Sequence, residues 1–429
     1  MIKLSIILPS LNVAKYIEET LQSIHNQVLV DFEAFCIDAG STDGTWEIIQ
    51  EAAKKDNRII AIQSDKKSYG LQVNMGLEMA RGKYVAILET DDYVSYDMYQ
   101  KLYDFAEMNN VDFVKCDYKA YFTNSEGERK FIDRNVGANM HLYNKVFSPK
   151  DQLNTVIDDW YLWNGIYKTD FLRQNNIKLS ETPGAAFQDI GFLHKVASHA
   201  EHVIYLNEHL YYYCIDREGA SSNSGKTLSF IFNEYGRLMD EISKDSEAVI
   251  KKMLYRRMAR SFVRACMETE DAILENDKSV EIFRWFRDKL ENGEKNGWIQ
   301  VTDIPYGLRK GYIGIVRPTL GFIAYRRAER KKINEFLKGD EPIIIFGCGI
   351  YGKEALGYVL ERGMKVEAFM DNDKALWGAT VNGYSVLSPD AILNMPKTTR
   401  YLIANEKHSE DIKKQLFGYF DAIKVYVYE

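Results

Sequence analysis

The sequence predicts an α/β protein: a mostly parallel sheet in the first half, a helical connector, and a small second α/β domain at the end. Three observations predict it. Strand-length apolar runs alternate with helix-spaced segments over the first hundred residues; residues 228–292 keep helical spacing without strong strand signals; and a fresh strand opens at Ile343 after the linker Gly339-Asp340-Glu341-Pro342. At roughly 100–200 residues per domain, 429 residues allow two to four domains. The expected divisions are 1–224, a connecting region 225–338, and 339–429.

Taken in order, Leu4–Leu8 is a continuous apolar run, as a strand buried on both faces of a parallel sheet requires. Asn12 is placed to cap a helix whose apolar residues Ile17, Leu21, Ile24 and Val28 keep helical spacing. Phe32–Ile37, Ile59–Ile62 and Tyr84–Leu88 read as further strands, with helices over Thr45–Lys54 and Leu71–Ala80 between them. Repeated β-α-β units build an open sheet whose ligands sit beyond the carboxyl ends of the strands. Pro9–Asn12, Asp38–Asp43 and Glu89–Asp92 fall there. Short strands follow over Asp112–Tyr118 and His202–Tyr205, in aromatic-rich surroundings.

Composition excludes several classes. Lys and Arg number 55 against 62 Asp and Glu, a net charge of −7 that gives no footprint for nucleic acid. With 46% apolar and 27% charged residues, disorder and coiled coil are excluded as well. The cysteines (Cys36, Cys116, Cys214, Cys266, Cys348) are scattered without CxxC spacing, which argues against a disulfide framework or a zinc site. The first apolar run is too short for a signal peptide, and no stretch reaches the ~18 apolar residues of a membrane span. A soluble, cytoplasmic protein is expected.

Glu89, Asp91 and Asp92 put three carboxylates in four residues at a strand end. They repel one another unless a cation joins them, and a hard divalent ion with oxygen ligands, Mg²⁺ or Mn²⁺, suits them, above all where a diphosphate completes its shell.

Four blocks then carry a resemblance: Leu4–Asn12, Ile37–Thr45, Ala80–Tyr84 and Glu89–Asp92. In order and spacing they resemble the family 2 inverting glycosyltransferases, of GT-A fold. The resemblance implies an NDP-sugar donor, UDP-sugar first, and a hexosyltransferase-type enzyme of surface polysaccharide biosynthesis acting on a glycan or lipid-linked acceptor. It implies donor contacts from Pro9, Asn12, Asp38, Ser41, Asp43, Gln72, Asn74 and Asp91, with the base held by the Asp38 block. Metal would be held by Asp92 and Asp91. Downstream, Trp163–Lys168, Glu181–Gly184 and Phe187–Phe192 resemble the family's acceptor half, where Asp189 takes the place of the catalytic base and Gln188 that of its usual acidic neighbour. In an inverting displacement a base removes the acceptor hydroxyl's proton while the metal steadies the leaving diphosphate. The chain departs from the pattern at Ala39 and Glu89, where aspartates are usual, and at Val73, where an arginine is usual.

Other features carry two readings each. Trp160, Tyr161 and Trp163 suit an acceptor-sugar platform or core packing. Arg217 and Ser221 suit a cover over the diphosphate or a solvated loop. The basic segment Tyr306–Lys332 suits peripheral contact with the inner face of a membrane, or a linker helix packed on the protein. His194, His199 and His202 do not share one helical face, so they read as ordinary histidines. Finally Gly347, Gly349 and Gly352 form a GxGxxG between a strand and a helix, with Asp371 after the next strand. This stretch resembles the Rossmann-like domain of sugar acyltransferases and sugar methyltransferases, which implies a possible second nucleotide site on those four residues. The rivals to the transferase reading are a non-catalytic nucleotide-sugar-binding scaffold, a sugar nucleotidyltransferase, and an NAD-dependent oxidoreductase centred on Gly347–Gly352.

Overall fold

A computed structural model describes residues 1–124, 127–136, 140–157, 159–185, 187–217, 226–242, 246–268, 277–316, 331–339, 341–360, 362–405, 408–420 and 423–428. The chain divides into two compact units: Met1–Ala120 with Asn135–Met258, and Tyr121–Arg134 with Ala259–Glu429.

In the first unit, β1 (Leu4–Ser10), β2 (Phe32–Asp38), β3 (Ile59–Gln63) and β4 (Tyr84–Ile87) pair in parallel, in the order β3-β2-β1-β4. Every residue of β1 and β2 is buried, as two covered faces demand. The crossover helices are α1 (Ile17–His25), α2 (Thr45–Lys55) and α3 (Tyr69–Met79). Beyond β4 the sheet turns antiparallel: β8 (Gly165–Lys168) pairs with β4, then come β6 (Phe113–Thr123), β9 (Val203–Cys214) and the short β5 (Tyr93–Val94). Around these run α4 (Met98–Asn109), α5 (Leu153–Val156), α6 (Thr169–Gln174), α7 (Asp189–His199) and α8 (Thr227–Glu241). The helix α9 (Ala248–Glu268) follows.

One expectation about α1 is corrected. Asn12 is no helix cap: it sits at φ 52°, its side-chain oxygen accepts from Thr42 N at 2.9 Å, and α1 starts five residues later with Tyr16 as its N-cap. Val28, expected on the helix's apolar face, lies past its end and is half-exposed.

In the second unit a sheet of order β12-β13-β11-β10-β14-β15 is built from β10 (Ile343–Phe346), β11 (Val366–Met370), β12 (Thr380–Val381), β13 (Tyr384–Leu387), β14 (Arg400–Ile403) and β15 (Lys424–Val427). All its pairings are parallel except the β12–β13 hairpin, whose turn residues Asn382 and Gly383 both have positive φ. Ile343, Ile345, Phe369 and Leu402 feed one core, and Ile344, Phe346, Met370 and Ile403 the other. Apolar side chains therefore cover both faces, which is why the strands read as unbroken runs. The strand β7 (Arg129–Arg134) joins this unit, where Arg134 Nη1 donates to Lys353 O at 2.9 Å. The buried Arg400 ties the linker down, donating to the carbonyls of Phe336, Gly339 and Glu341.

No helix among the described residues is long and apolar enough to cross a membrane. Of the basic segment 306–332, residues 306–316 are helical and 317–330 lie outside the described residues.

Candidate active site

The three polar clusters at the strand ends converge. Asn12 N donates to Ser41 Oγ (2.8 Å), Ala14 N to Asp43 Oδ2 (3.0 Å), and Thr90 Oγ1 to Pro9 O (3.0 Å). Asp38 is fully buried and closes its own turn, accepting from Gly40 N, Ser41 N and Ser41 Oγ. Asn12, Asp38, Ser41 and Asp43 are thus brought together, and their polar atoms brace one another. Gln72 is buried in α3 and donates to Ser10 O and Ile37 O, tying the ends of β1 and β2 together.

The acidic loop alternates in burial. Thr90 and Asp92 are buried, whereas Glu89 and Asp91 are part-exposed. Asp92, expected to hold the metal together with Asp91, has both carboxylate oxygens engaged: Tyr211 Oη donates to Oδ2 at 2.7 Å and Cys214 N to Oδ1 at 2.8 Å. Burial, reinforced by Asp91, raises its carboxyl well above the usual range. Asp92 is placed as a brace within the wall, and the carboxylates near the surface are Glu89 and Asp91. Asp91 Oδ2 accepts from Arg217 Nη1 at 2.7 Å. Glu89 accepts from the Tyr69 hydroxyl at 2.5 Å, and burial together with Asp91 pushes its carboxyl up to about 7. Two carboxylates two residues apart, one of which helps to raise the other, are a donor set a divalent cation relieves. Mg²⁺ or Mn²⁺ held with a diphosphate needs only one or two protein carboxylates. The pair fits such an ion, although no cluster of three His, Cys, Asp or Glu side chains suited to a metal occurs among the described residues.

Asp189 reaches the same place by another route. It is the first residue of α7, is half-buried, and accepts from Ile190 N at 3.0 Å. Burial is the main cause that raises its carboxyl, to about 6. The segment leading to it is strapped to the start of α3. Asn74 donates to Leu179 O (2.9 Å) and Glu181 Oε1 (3.0 Å) and accepts from Leu179 N (3.0 Å). Tyr69 N donates to Gly184 O (3.1 Å), and Gly184 N to Lys67 O (2.7 Å). Gly70 permits the approach: a Cβ there would stand 2.0 Å from Ser180 O. Gln188 is buried and donates to Thr182 Oγ1 and Gly184 O, locking the turn before Asp189. Tyr69 therefore holds the acidic loop with its hydroxyl and the Asp189 loop with its amide. Asp189, Asp91 and Glu89 all act on its hydroxyl, which burial first and Glu89 next raise well above 10.

Trp163 is buried and stacks on Tyr211 (4.1 Å) and Tyr213 (5.1 Å). Of its two readings, packing is the one this arrangement favours. Tyr161 and Tyr213 are the partly exposed members of the same cluster. Arg217 is described, and Ser221 lies outside the described residues.

In the second unit Gly347 has φ 104° and a Cβ there would meet Ala404 O at 2.5 Å, while one on Gly352 would meet Gly347 O at 2.0 Å. These two glycines serve the turn and the close helix approach; around Gly349 there is open space. Asp371, the acid expected at a nucleotide, accepts from Cys348 N (3.1 Å) and Asp373 N (3.0 Å) and so fastens the glycine loop. Separately, a cavity of about 300 Å³ lies in the first unit between Leu77 and Lys178, among residues with none of the site's chemistry.

The residues to which the sequence reading gave no role are Tyr69 and Tyr211. Tyr69 could have been found as the residue beside Gly70 at a helix start; nothing in the sequence pairs Tyr211 with Asp92.

Residues 5–174 match the family model for glycosyl transferase family 2, and residues 339–421 the model described as C2185-like, N-terminal. The chain is 32% identical over 212 residues to the uncharacterized glycosyltransferase EpsJ of Bacillus subtilis, covering 49% of this chain and 60% of EpsJ. It is 27% identical over 242 residues to the poly(ribitol-phosphate) beta-N-acetylglucosaminyltransferase TarS of Staphylococcus aureus, covering 56% of this chain and 40% of TarS. The chain thus spans less than two thirds of the length of both relatives. The crystal structure of S. aureus TarS 1–349 in complex with UDP-GlcNAc superposes with a TM-score of 0.53 at 20% identity, covering 76% of this chain and 92% of that one. Residues 5–174 are therefore similar to family 2 glycosyltransferases, the first unit has the GT-A fold, and the C-terminus carries a second, smaller sheet domain.

Proposed function

We propose that residues 1–224 catalyse inverting, metal-assisted transfer of a sugar from a nucleoside diphosphate donor to a hydroxyl of a glycan or lipid-linked acceptor. The observation that carries the reading is Tyr69, which bonds Glu89 through its hydroxyl and Gly184 through its amide. Through it the acidic loop and the loop of Asp189 share one neighbourhood, which a displacement needing both requires.

Each group has a task in this reading. The loops 9–12 and 38–43, cross-braced by Asn12, Ser41 and Asp43, form the floor for the nucleoside. Glu89 and Asp91 would hold Mg²⁺ or Mn²⁺, with Asp92 fixing their loop from behind. When bound, such an ion stabilises negative charge on the departing diphosphate. Asp189 takes the proton of the attacking hydroxyl. A carboxyl raised to about 6 is still ionised at neutral pH and is a better proton acceptor than one at its ordinary value. UDP is the first donor base to test, since TarS was crystallised with UDP-GlcNAc. Surface-glycan synthesis is the expected setting; the relative TarS is named for transfer of N-acetylglucosamine to a polymer, poly(ribitol-phosphate).

The test is a screen of nucleoside diphosphate sugars for Mn²⁺-dependent hydrolysis or transfer, with EDTA and Asp189→Asn as controls. One donor class should turn over, EDTA should abolish turnover, and Asp189→Asn should lose roughly 10²–10⁴-fold in rate while still binding nucleotide. Full activity in Asp189→Asn refutes the assignment. UDP binding without turnover of any donor favours the scaffold reading.

A further inference from the structure

Asp91 has a partner that the mechanism above leaves unused. Arg217 Nη1 lies 2.7 Å from Asp91 Oδ2, with the guanidinium 27% and the carboxylate 12% exposed. The strand β9 supplies Tyr211 and ends at Cys214, the two groups that grip Asp92, and Arg217 follows three residues later. One segment therefore fixes the inner carboxylate of the acidic loop and delivers a positive charge to the outer one. The helix α3 offers no such charge, because it contains no Lys or Arg.

Resting on the donor site proposed above, we infer that Arg217 holds Asp91 in place of the divalent cation while no donor is bound, and gives Asp91 up for the donor's diphosphate when cation and donor enter. A guanidinium and a divalent cation compete for one carboxylate, since both need its oxygens and they repel each other. A guanidinium displaced beside a diphosphate meets an acceptor that matches its forked donors. Arg217 is therefore a positioning residue with two successive partners.

The inference gives one substitution two effects of opposite sign. Mn²⁺ alone is titrated into the full chain and followed by the paramagnetic resonance of the free ion. UDP is then titrated calorimetrically at saturating Mn²⁺. Arg217→Ala should bind Mn²⁺ alone about fivefold more tightly and UDP with Mn²⁺ about tenfold more weakly. Arg217→Gln, which retains more of the stem, should show the same two shifts and stands in if the alanine variant does not fold. A loss in both titrations marks a merely structural residue and overturns the exchange, as does an unchanged Mn²⁺ affinity. If the unaltered chain binds neither Mn²⁺ nor UDP, the donor-site reading itself has failed and the inference falls with it. If it binds both and the variants shift neither, the exchange alone is wrong.

Discussion

Replacing Gly70 by alanine probes the strap between α3 and the Asp189 loop without removing a polar group. The added Cβ would stand 2.0 Å from Ser180 O and 2.8 Å from Ser180 C, both backbone atoms, whereas real contacts of this kind stay beyond 3.0 Å. The segment through Ser180 must therefore retreat by about 1 Å. That segment runs on through Gly184 and Gln188 to Asp189, whose position is set by the bonds from Tyr69, Lys67 and Asn74. A reacting group misplaced by about 1 Å costs on the order of 100-fold in rate. The donor floor at 9–12 and 38–43 is not among the displaced atoms. Gly70→Ala is therefore expected to lower kcat about 100-fold while leaving the Kd for UDP within about twofold. Turnover of the donor found in the screen, calorimetry with UDP, and circular dichroism on the same preparation separate these effects. Gly236→Ala in α8 is the control, because its Cβ would enter open space. Unchanged kcat in Gly70→Ala would refute the strap, and an equal loss of UDP binding would mean that α3 positions the donor rather than the base.

Acidification should remove activity, since a base proposed at Asp189 acts only when ionised and that carboxyl is raised to about 6. Between pH 7 and pH 5 its ionised fraction drops from about nine-tenths to about one-tenth, so kcat/KM should fall about tenfold, and more steeply if Glu89, raised to about 7, is not saturated with cation. A profile flat to pH 5 contradicts a base at Asp189. Asp91→Ala should abolish Mn²⁺ binding with little change in melting temperature. Asp92→Ala should cost about 2 kcal/mol of stability, because the Tyr211 hydroxyl and Cys214 amide lose a buried acceptor, and thermal melting of the two variants tests the division of roles. Arg400→Met strips donors from the carbonyls of Phe336, Gly339 and Glu341, and should reduce hydrogen-exchange protection of Ile343–Phe346 by about 3 kcal/mol; unchanged protection would show that the linker needs no clamp. Glu89→Asp brings the sequence nearer the family pattern but shortens the side chain by one carbon, about 1.5 Å. It should break the 2.5 Å bond to Tyr69 and weaken Mn²⁺ binding, and a gain in activity would show that the bond is dispensable.

The strand ends were legible because a parallel sheet buried on both faces demands unbroken apolar runs, and Leu4–Leu8 and Ile343–Phe346 can be nothing else in an α/β chain. The placing of β8 beside β4 was not legible: residues 165–168 lie some eighty positions away, and pairing between distant strands leaves no local mark. At the site, the four letters from Glu89 to Asp92 announced acid, but not that Asp92 turns inward to Tyr211 and Cys214 while Asp91 turns out. Asn12 misled for a related reason. Its side chain is a good cap in isolation, and only the nearness of Thr42, set by the β1–β2 pairing, gives it a different partner. Gln72 and Asn74 read as donor contacts; their amides reach backbone carbonyls of other elements and, for Asn74, the Glu181 carboxylate, which no helical pattern reveals.

The three departures from the family pattern share one physical logic. Ala39 is 3% exposed and its amide donates to Ser10 O, so a carboxylate there would lie in the floor between β1 and β2. Val73 is fully buried in a helix whose neighbouring residues Gln72 and Asn74 are also buried, so α3 is committed to packing and strapping and carries no cation toward the acidic loop. Glu89 uses its extra reach to bond Tyr69 on that same helix. The helix thus acts as a spacer that fixes the distance between two carboxylate-bearing loops, and the fixed positive charge beside them comes instead from Arg217 at the far end of β9. Spacing and charge reside in different segments, so variants of α3 should act on the rate and variants at Arg217 on nucleotide and cation affinity.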